Sequence, residues 1–417
     1  MIRAVKGTRD LLPPATRLWN QVEEAARRVF RAYNYQEIRT PILEPTQLFA
    51  RGVGEETDIV TKEMYSFEDR DGSSLTLRPE ATASVIRAYL EHRLDQRPGL
   101  QKLYYIGPMF RRERPQKGRY RQFYQIGAEA IGLQSPAVDA EVIELVLELL
   151  RQAGLADFQL LLNSVGCPEC RPAYVELLRE RLRETAATMC SDCRRRAVSN
   201  PLRVLDCKLP EDQPVIERLP SILDHLCQDC RTHFEALKRM LAGRSIAFTL
   251  APRLVRGLDY YMRTTFEVLH GALGAQNSVL GGGRYDGLAQ ALGSKTPAPG
   301  IGFSIGEDRL VLSLEQAGPE PAGAELDLFI APVGEAVLEH AAWLARELRR
   351  AGFAVELSFD GRLKRSLEVA DRLGVGRTLI VGEDEIAAGR YTLRNMQTGE
   401  QAAITLEDLR RRLAAVK

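Results

Sequence analysis

The stretch that decides the fold is LYYIGPMF (103–110), RRERPQKGRYR (111–121) and FYQIGAEAIG (123–132). Its two apolar runs are short and rich in aromatic residues and isoleucine, which is typical of β-strands. The segment between them carries six basic residues and a single acid. The stretch therefore predicts two neighbouring strands joined by a long basic loop.

The second of these strands would carry a polar face. Side chains alternate between the faces of a strand, so Gln125, Gly127 and Glu129 share one face and apolar side chains take the other. A glycine between an amide and a carboxylate would leave room for a ligand, and a buried carboxylate needs a partner. A strand with one solvated face shows the same alternation and is the commoner case. Both interpretations stay open on this pattern.

Length and composition indicate a folded protein of several domains. The chain has 417 residues, 45% of them apolar and 27% charged, and it exceeds what one hydrophobic core usually supports. Its 57 basic and 56 acidic side chains give a net charge of +1, so a nucleic-acid partner would need local basic patches. We find no signal peptide and no window of roughly 20 apolar residues, and therefore expect a cytoplasmic protein outside membranes.

Patterns on either side of the central strands predict an interrupted sheet. Residues 15–33 carry the apolar stripe of a helix, and strand patterns that stop near Gly166 resume at IAFTL (246–250). After a segment rich in Pro, Gly and Ala, strands alternate with helices, as in an α/β domain with a largely parallel sheet. The predicted domains are an α+β core on an antiparallel sheet (1–166 and 246–318), a mainly helical insertion (167–245), a linker (319–325) and a C-terminal α/β domain (326–417).

Cysteines are concentrated in the predicted insertion. An odd number, seven, in a chain without an export signal argues against a disulfide framework. Six of them form CxxC pairs, a spacing that brings two thiolates onto one tetrahedral zinc, although reduced thiols remain an alternative. The pairs are Cys167 with Cys170, Cys190 with Cys193, and Cys227 with Cys230, whereas Cys207 stands alone.

Two charged residues are predicted in the first turns of helices. Glu80 follows the extended run LTL, and an acid there would complement the helix dipole. Arg309 would oppose the dipole of a later helix, which indicates an anionic ligand. The preceding PGIGFSIG (299–306) alternates glycine with apolar residues, so that a flat group could lie close to the backbone.

Together, these segments resemble the histidyl-tRNA synthetases, which belong to the class II aminoacyl-tRNA synthetases, over nearly the whole chain. Residues 33–45, 107–129 and 299–310 are similar to the three motifs of the class. LVRGLDYY (254–261) and GGGRYDGL (281–288) are similar to two signatures of the histidine enzymes. RPEAT (78–82) is close to the RPEGT of the family, with Ala81 in place of glycine.

This resemblance implies the class II fold, a C-terminal anticodon-binding domain and a homodimer with Pro41 at its interface. It implies a ligase that activates L-histidine with ATP, with Mg²⁺ accompanying the pyrophosphate, and then charges tRNA(His). The basic loop 112–121 would meet the acceptor stem, and Lys364 and Arg365 could contact RNA. The implied histidine-binding residues are Glu80, Thr82, Arg111, Gln125, Glu129, Arg256, Tyr260, Tyr261 and Tyr285. The implied ATP-binding residues are Arg111, Glu113, Phe123 and Arg309, and the catalytic residues are Arg111, Arg309 and, at the α-phosphate, Arg256.

Two rival functions share this fold. A histidyl-synthetase-like regulatory subunit of ATP phosphoribosyltransferase would bind histidine without activating it. Such subunits typically lack the arginine-bearing signature and often the C-terminal domain, and this chain has both segments. A class II ligase for another amino acid is disfavoured by the two histidine-type signatures. The resemblance does not decide whether the cysteines bind zinc.

Overall fold

The computed structural model describes residues 2–55, 57–116, 118–271, 277–318 and 326–415. These residues form two compact units, one up to residue 318 and one from residue 326 onward. The predicted linker, 319–325, lies outside the described residues. No helix in the described ranges has both the length and the apolar character needed to cross a bilayer.

A large, mainly antiparallel sheet is the centre of the first unit. Its strand order is β1-β5-β6-β11-β10-β9-β7-β8, with parallel pairs at the two edges and antiparallel pairs between them. A smaller sheet has the order β2-β4-β3. The strands are β1 (Gln36–Glu37), β2 (Leu43–Pro45), β3 (Tyr65–Glu68), β4 (Ser74–Leu77), β5 (Gln101–Phe110), β6 (Gln122–Ile131), β7 (Phe158–Ser164), β8 (Thr249–Leu250), β9 (Met262–His270), β10 (Ser278–Arg284) and β11 (Gly300–Gly306). The predicted fold class is confirmed.

Helices lie on both faces of this sheet and also build the region between β7 and β8. They are α1 (Thr16–Ala32), α2 (Thr46–Val53), α3 (Thr82–Glu91), α4 (Pro136–Gln152), α5 (Arg171–Thr185), α6 (Ser191–Ser199), α7 (Gln213–Ile216), α8 (Gln228–Gly243), α9 (Leu288–Ala291) and α10 (Glu307–Ala317). Short 3₁₀ turns span Leu94–Gln96, Ala186–Thr188, Pro201–Asp206, Pro210–Asp212 and Ile222–His225, and a π-turn spans Ile59–Glu63.

The main core lies between the sheet and helices α1, α4 and α8. The predicted stripe of α1 is buried at Val22, Ala25 and Val29, and it packs with α4 against β6 and β11. Helix α4 begins where Ser135 accepts a hydrogen bond from the backbone of Ala137, an N-cap that satisfies an otherwise free donor. On the opposite face, α3 packs with Tyr105, Met109 and Ile131 in a second apolar cluster. The polar side chains of β6 lie on this same face.

The region between β7 and β8 has a hydrophobic core of its own. Tyr174, Leu178 and Leu182 of α5 pack there with apolar side chains of the following helices and turns, together with the cysteines. IAFTL, predicted as a strand, pairs only over Thr249–Leu250. The helical, cysteine-bearing character predicted for 167–245 describes this region.

The C-terminal unit has a five-stranded mixed sheet of order β13-β12-β14-β15-β16. Its elements are β12 (Leu328–Pro332), α11 (Leu338–Arg350), β13 (Val355–Leu357), α12 (Leu363–Arg372), β14 (Arg377–Val381), α13 (Glu383–Ala388), β15 (Tyr391–Asn395), β16 (Gln401–Ile404) and α14 (Leu406–Ala414). The first three strands are parallel, as predicted, but β15 and β16 add an antiparallel hairpin that the sequence analysis missed. The polar and alanine-rich QAAI run of β16 carries little strand signal.

Candidate active site

Glu129 lies at the centre of a polar cluster on the sheet face next to α3. It is 1% exposed. One carboxylate oxygen accepts a hydrogen bond from the hydroxyl of Thr82 over 2.7 Å, and the other accepts one from the hydroxyl of Tyr285 over 2.6 Å. Burial raises the pKa of Glu129 to about 8, against these two hydrogen bonds, and the charge of Glu80 adds to the rise.

Glu80 caps helix α3 instead of lying in its first turn. The helix begins at Thr82, and the Glu80 carboxylate accepts hydrogen bonds from the backbone nitrogens of Thr82 at 2.7 Å and Ala83 at 2.9 Å. The sequence analysis therefore placed the start of this helix too early. The Glu80 carboxylate accepts hydrogen bonds from the first backbone N–H groups, which the carbonyl oxygens of a preceding turn would otherwise accept. Burial raises the pKa of Glu80, although these backbone bonds and the charge of Arg111 oppose the rise.

Three tyrosines line the same cluster. The rings of Tyr260 and Tyr261 lie 4.7 Å apart, and Tyr285 meets Tyr260 edge-on at 6.0 Å. The Tyr260 hydroxyl donates to Glu80 over 3.4 Å. Burial raises the pKa of each of these phenols, so they remain neutral hydrogen-bond donors at ordinary pH.

From its position between Gln125 and Glu129, we expected Gly127 to leave room for a ligand. The structure shows no open space there. Tyr105 of β5 pairs with Gly127, and its hydroxyl lies 2.3 Å from where a Cβ on Gly127 would be. The buried phenol of Tyr105 therefore occupies that room. Gln125 is on the same face, and its Oε1 is buried without a hydrogen-bond partner in the described part of the chain.

Glycines on the neighbouring strands make room for the charged side chains. A Cβ on Gly302 would lie 1.8 Å from the Glu129 carboxylate and 2.6 Å from the backbone oxygen of Ala128. A Cβ on Gly281 would lie 2.0 Å from the guanidinium of Arg256. The glycines of β11 therefore make room for protein side chains, in addition to any flat ligand.

Arg256 lies over Gly281, at the other end of this face. Its guanidinium is 3.6 Å from Glu267 and 5.8 Å from the ring centre of Tyr261. Burial alone would lower the pKa of Arg256, but Tyr261 and Glu267 outweigh it and raise the pKa, so the group is a fixed positive charge. The sequence analysis did not identify Glu267. This residue is on β9, two residues after Thr265, and pairs with Gly281 of β10.

Arg309 occupies the first turn of α10, as predicted. Burial and then the like charge of Arg119 lower its pKa, whereas Glu267 and Glu113 oppose that shift. The positive charges of Arg119 and Arg309 thus act on each other, and together they create a positive potential that favours an anion. This position agrees with the anionic ligand inferred from the opposed helix dipole.

Arg111 connects the basic loop to the polar cluster. Its Nε donates to the backbone oxygen of Pro79 over 2.9 Å, and its guanidinium lies 5.3 Å from the ring centre of Phe123. Glu113 is between two arginines, 3.8 Å from Arg111 and 3.1 Å from Arg119. Arg112, Arg114 and Arg119 are all exposed, and Arg119 is paired with Glu113.

A buried ionic network behind Tyr285 was also missed. Arg284 is fully buried and donates to Asp139 over 2.8 Å and to Asp286 over 2.7 Å. Asp139 also accepts hydrogen bonds from His233 at 2.8 Å and Thr264 at 2.6 Å. The arginine and aspartate of GGGRYDGL therefore hold the strand end that carries Tyr285. In the sequence, the one signal for Arg284 and Asp286 is that they flank Tyr285 in that signature.

The cysteines lie outside the cleft, in the region between β7 and β8. They form two separate groups, and Cys207 belongs to one of them instead of standing alone. All seven thiols are free.

Comparisons with known proteins agree with this architecture. A sequence model of the family described as "Histidyl-tRNA synthetase" matches residues 7–310, and one described as "Anticodon binding domain" matches 327–415. A histidine–tRNA ligase of Solibacter usitatus is 70% identical over 415 residues, covering 100% of this chain and 99% of the relative. One of Koribacter versatilis is 56% identical, covering 98% and 95%. The crystal structure of apo S. aureus histidyl-tRNA synthetase has a TM-score of 0.82 at 38% identity, covering 99% of this chain and 100% of that chain.

The antiparallel sheet, with buried acids and arginines on one face, defines an enzyme of the class II aminoacyl-tRNA synthetases. The chain belongs to the histidyl-tRNA synthetase family. Its reaction is the ATP-dependent activation of histidine and the transfer of histidine to tRNA. The regulatory-subunit alternative is not favoured, because full-length relatives at high identity are ligases.

Proposed function

We propose that the cleft between α3, β6 and the 254–261 segment is where this chain activates histidine. The observation that carries the proposal is the pair of buried acids, Glu80 and Glu129, whose oxygens lie among three neutral phenols. A histidine offers an α-ammonium group and an imidazole, which need acceptors and donors at fixed positions. An apolar amino acid would leave these buried groups unpaired and would be rejected.

Within this pocket, Glu129 and Glu80 are the acceptors for the ligand's cationic and N–H groups, with Thr82 fixing Glu129. Tyr260, Tyr261 and Tyr285 enclose the ring, and Gln125 supplies a further acceptor through its buried Oε1. Arg111, whose charge already acts on Glu80, would meet the carboxylate end of the substrate. A pocket of this kind fits one side-chain shape and both charges of the amino acid.

ATP would occupy the arginine-bearing side of the cleft. Arg111, Arg119 and Arg309 supply positive charge for the phosphates, and Glu113 and Phe123 are placed to position the adenine. Mg²⁺ would enter with the pyrophosphate portion of ATP. The carboxylates near this group of arginines are Glu113 and Glu267, and oxygen donors are the ligands that Mg²⁺ prefers.

In the first step, a carboxylate oxygen of histidine forms a bond to the α-phosphorus while the bond to the leaving pyrophosphate breaks. Negative charge accumulates on the non-bridging oxygens of that phosphate. Arg256 is held by Glu267 and Tyr261 and can stabilise this charge without reorganising. In the second step, a ribose hydroxyl of tRNA attacks the histidyl carbonyl and AMP leaves.

Exposed basic groups support tRNA contacts in both units. Arg112 and Arg114 of the basic loop face solvent and would meet the acceptor stem, whereas Arg119 is assigned to the phosphates. In the C-terminal unit, Lys364 and Arg365 are exposed at the start of α12. Contacts of this kind are sensitive to salt, because each releases counterions from the RNA.

We also propose a homodimer whose interface includes the segment around Pro41. Ile42, which directly precedes β2, is 40% exposed, and Leu43 and Phe67 on the small sheet are each 47% exposed. Neighbouring apolar side chains of this size are typical of an interface. Light scattering should give the mass of a dimer, and a monomer at all concentrations would oppose this part. The compartment remains an expectation: a cytoplasmic enzyme.

The test is histidine-dependent exchange of pyrophosphate into ATP, followed by aminoacylation of purified tRNA. We expect exchange and charging with histidine and with no other amino acid. Histidine binding without exchange would indicate a regulatory protein and contradict the proposal. Exchange driven by another amino acid would contradict the assigned pocket.

A further inference from the structure

Four cysteine sulfurs meet where the region between β7 and β8 begins and ends. Cys167 and Cys170 precede α5, and Cys227 and Cys230 lie at the start of α8. The Sγ atoms of Cys167 and Cys170 are 3.8 Å apart, Cys167 and Cys227 are 3.7 Å apart, and Cys170 and Cys230 are 3.9 Å apart. All four lie within 4.8 Å of one another.

A second group combines three cysteines with an aspartate. Cys190 and Cys193 flank the start of α6, Cys207 follows the next 3₁₀ turn, and Asp212 ends another. Their ligand atoms also lie within 4.8 Å of one another, and the Cys207 sulfur is 3.1 Å from Oδ2 of Asp212. The backbone nitrogen of Cys190 donates to the other oxygen of Asp212 over 3.0 Å, which aims Oδ2 into the group.

These distances fit tetrahedral zinc and exclude disulfides. A zinc ion with four Zn–S bonds of about 2.3 Å requires sulfurs about 3.8 Å apart, which agrees with the first group. A disulfide requires about 2.05 Å. The second group offers three soft thiolates and one carboxylate oxygen, a donor set that also suits zinc. Each group offers four protein ligand atoms and is largely buried, so four-coordination is complete without water.

We propose that the chain binds two zinc ions, one through Cys167, Cys170, Cys227 and Cys230, and one through Cys190, Cys193, Cys207 and Asp212. Zinc displaces four thiol protons at the first site and three at the second, since Asp212 binds as a carboxylate. The first ion joins the two ends of the region, and the second closes the segment between Cys193 and Cys207.

The second ion has a consequence for the cleft, and this part rests on the proposed function. Within the closed segment, Arg203 donates to the backbone oxygen of Arg256 over 3.5 Å, and Asn200 donates to Asp259 over 3.5 Å. Arg196 and Arg203 also pair with Asp58, at 3.2 and 3.6 Å. The segment therefore supports the backbone that carries Arg256, and its residues act as positioning residues for the pocket.

Elemental analysis of the intact protein, purified without added metal, tests the two sites. About two zinc ions per chain are expected, and X-ray absorption should show Zn–S distances of about 2.3 Å with a minor oxygen contribution. No zinc, about one zinc, or iron in its place would each overturn the proposal. This measurement does not depend on ligase activity, so it can fail or succeed separately from the proposed function.

Variants separate the two sites. The double substitution Cys227→Ser with Cys230→Ser should leave about one zinc, the Cys₃Asp ion. Asp212→Asn removes one anionic ligand with little change of shape and should weaken only the second site. Its matched control is Glu211→Gln, an exposed neighbour in the same turn that should retain both ions. Equal zinc loss in Asp212→Asn and Glu211→Gln would oppose the assignment.

The coupling to the cleft is tested with the same pair of variants. Asp212→Asn should slow adenylate formation and loosen residues 254–261 in hydrogen exchange, whereas Glu211→Gln should change neither. Asp212→Cys, which restores a fourth anionic ligand, should recover both the zinc and the rate of adenylate formation. Zinc loss without any change in exchange at 254–261 would overturn the coupling and leave the two metal sites standing.

Discussion

The hydroxyl of Tyr285 donates a hydrogen bond to Glu129 over 2.6 Å, and both side chains are almost fully buried. Tyr285 directly follows β10, whereas Glu129 is on β6, so the bond crosses β11. It lowers the pKa of Glu129 and opposes the effect of burial. The phenol therefore helps to set the charge of the pocket.

Tyr285→Phe should raise KM for histidine about tenfold, because a hydrogen bond to a charged group is lost and Glu129 becomes harder to ionise. The change in kcat should be smaller. Pyrophosphate exchange at several histidine concentrations measures both. Tyr33→Phe is the matched control, since Tyr33 also donates to a glutamate, Glu144, away from the cleft. A similar KM in the two variants would contradict the role of Tyr285.

Histidine binding should release a proton from Glu129. With a pKa of about 8, this carboxyl is mostly protonated at pH 7, and a cationic ligand favours its ionised form. The apparent Kd should therefore fall as pH rises from 7 to 8 and then level off. Calorimetry in two buffers of different ionisation enthalpy measures the proton count. Glu129→Gln should bind more weakly and release fewer protons; unchanged release would oppose this assignment.

Arg256→Ala should slow adenylate formation about 10²- to 10³-fold, as for other groups that stabilise transition-state charge. Histidine affinity should change much less. Single-turnover formation of the adenylate and equilibrium binding measure the two quantities separately. Arg31→Ala, an exposed arginine on α1, is the control. Equal losses of rate and affinity would contradict the assigned contact with the α-phosphate.

Gly281→Ala should reproduce the slow step of Arg256→Ala with little loss of stability. The three atoms nearest to the new Cβ all belong to the guanidinium of Arg256, the far end of a side chain that can move away from it. Gly243→Ala is the control, because nothing lies within 4 Å of that Cβ. Melting temperatures identify a folding defect. A fully active Gly281→Ala enzyme would show that the guanidinium position is not required.

Glu307→Gln should stabilise the protein, and more so at alkaline pH. Burial, with Glu23 and Asp308 nearby, raises the pKa of Glu307 from 4.5 to about 9, and both of its oxygens lack hydrogen-bond partners among the described residues. The folded protein therefore holds a proton that the unfolded chain releases above about pH 4.5, and each pH unit up to about 9 costs about 1.4 kcal/mol. The melting-temperature difference between variant and wild type should grow from pH 6 to 8.5. Glu315→Gln, exposed on the same helix, should show no such trend.

The sequence predicted the elements with strong periodicity and missed contacts that depend on distant segments. The strands around 103–132 and helix α1 follow from local patterns, and Arg309 lies in the first turn where its helix was expected. The position of Tyr105 over Gly127 depends on strand register, which the sequence does not specify. Asp212 could not be grouped with Cys190, because only the folded turns bring them together. The roles of the individual cleft residues remain predictions.

Strand β7 pairs with β8 and β9, although the whole cysteine-bearing region separates them in the chain. Joining distant strands requires closing a long loop, whose entropy cost must be met before the strand contacts form. Because this region has its own core, it can fold first and bring Leu161 beside Thr249. We therefore expect this region to fold before the catalytic sheet is completed. Its sequence should then control the rate at which the sheet forms.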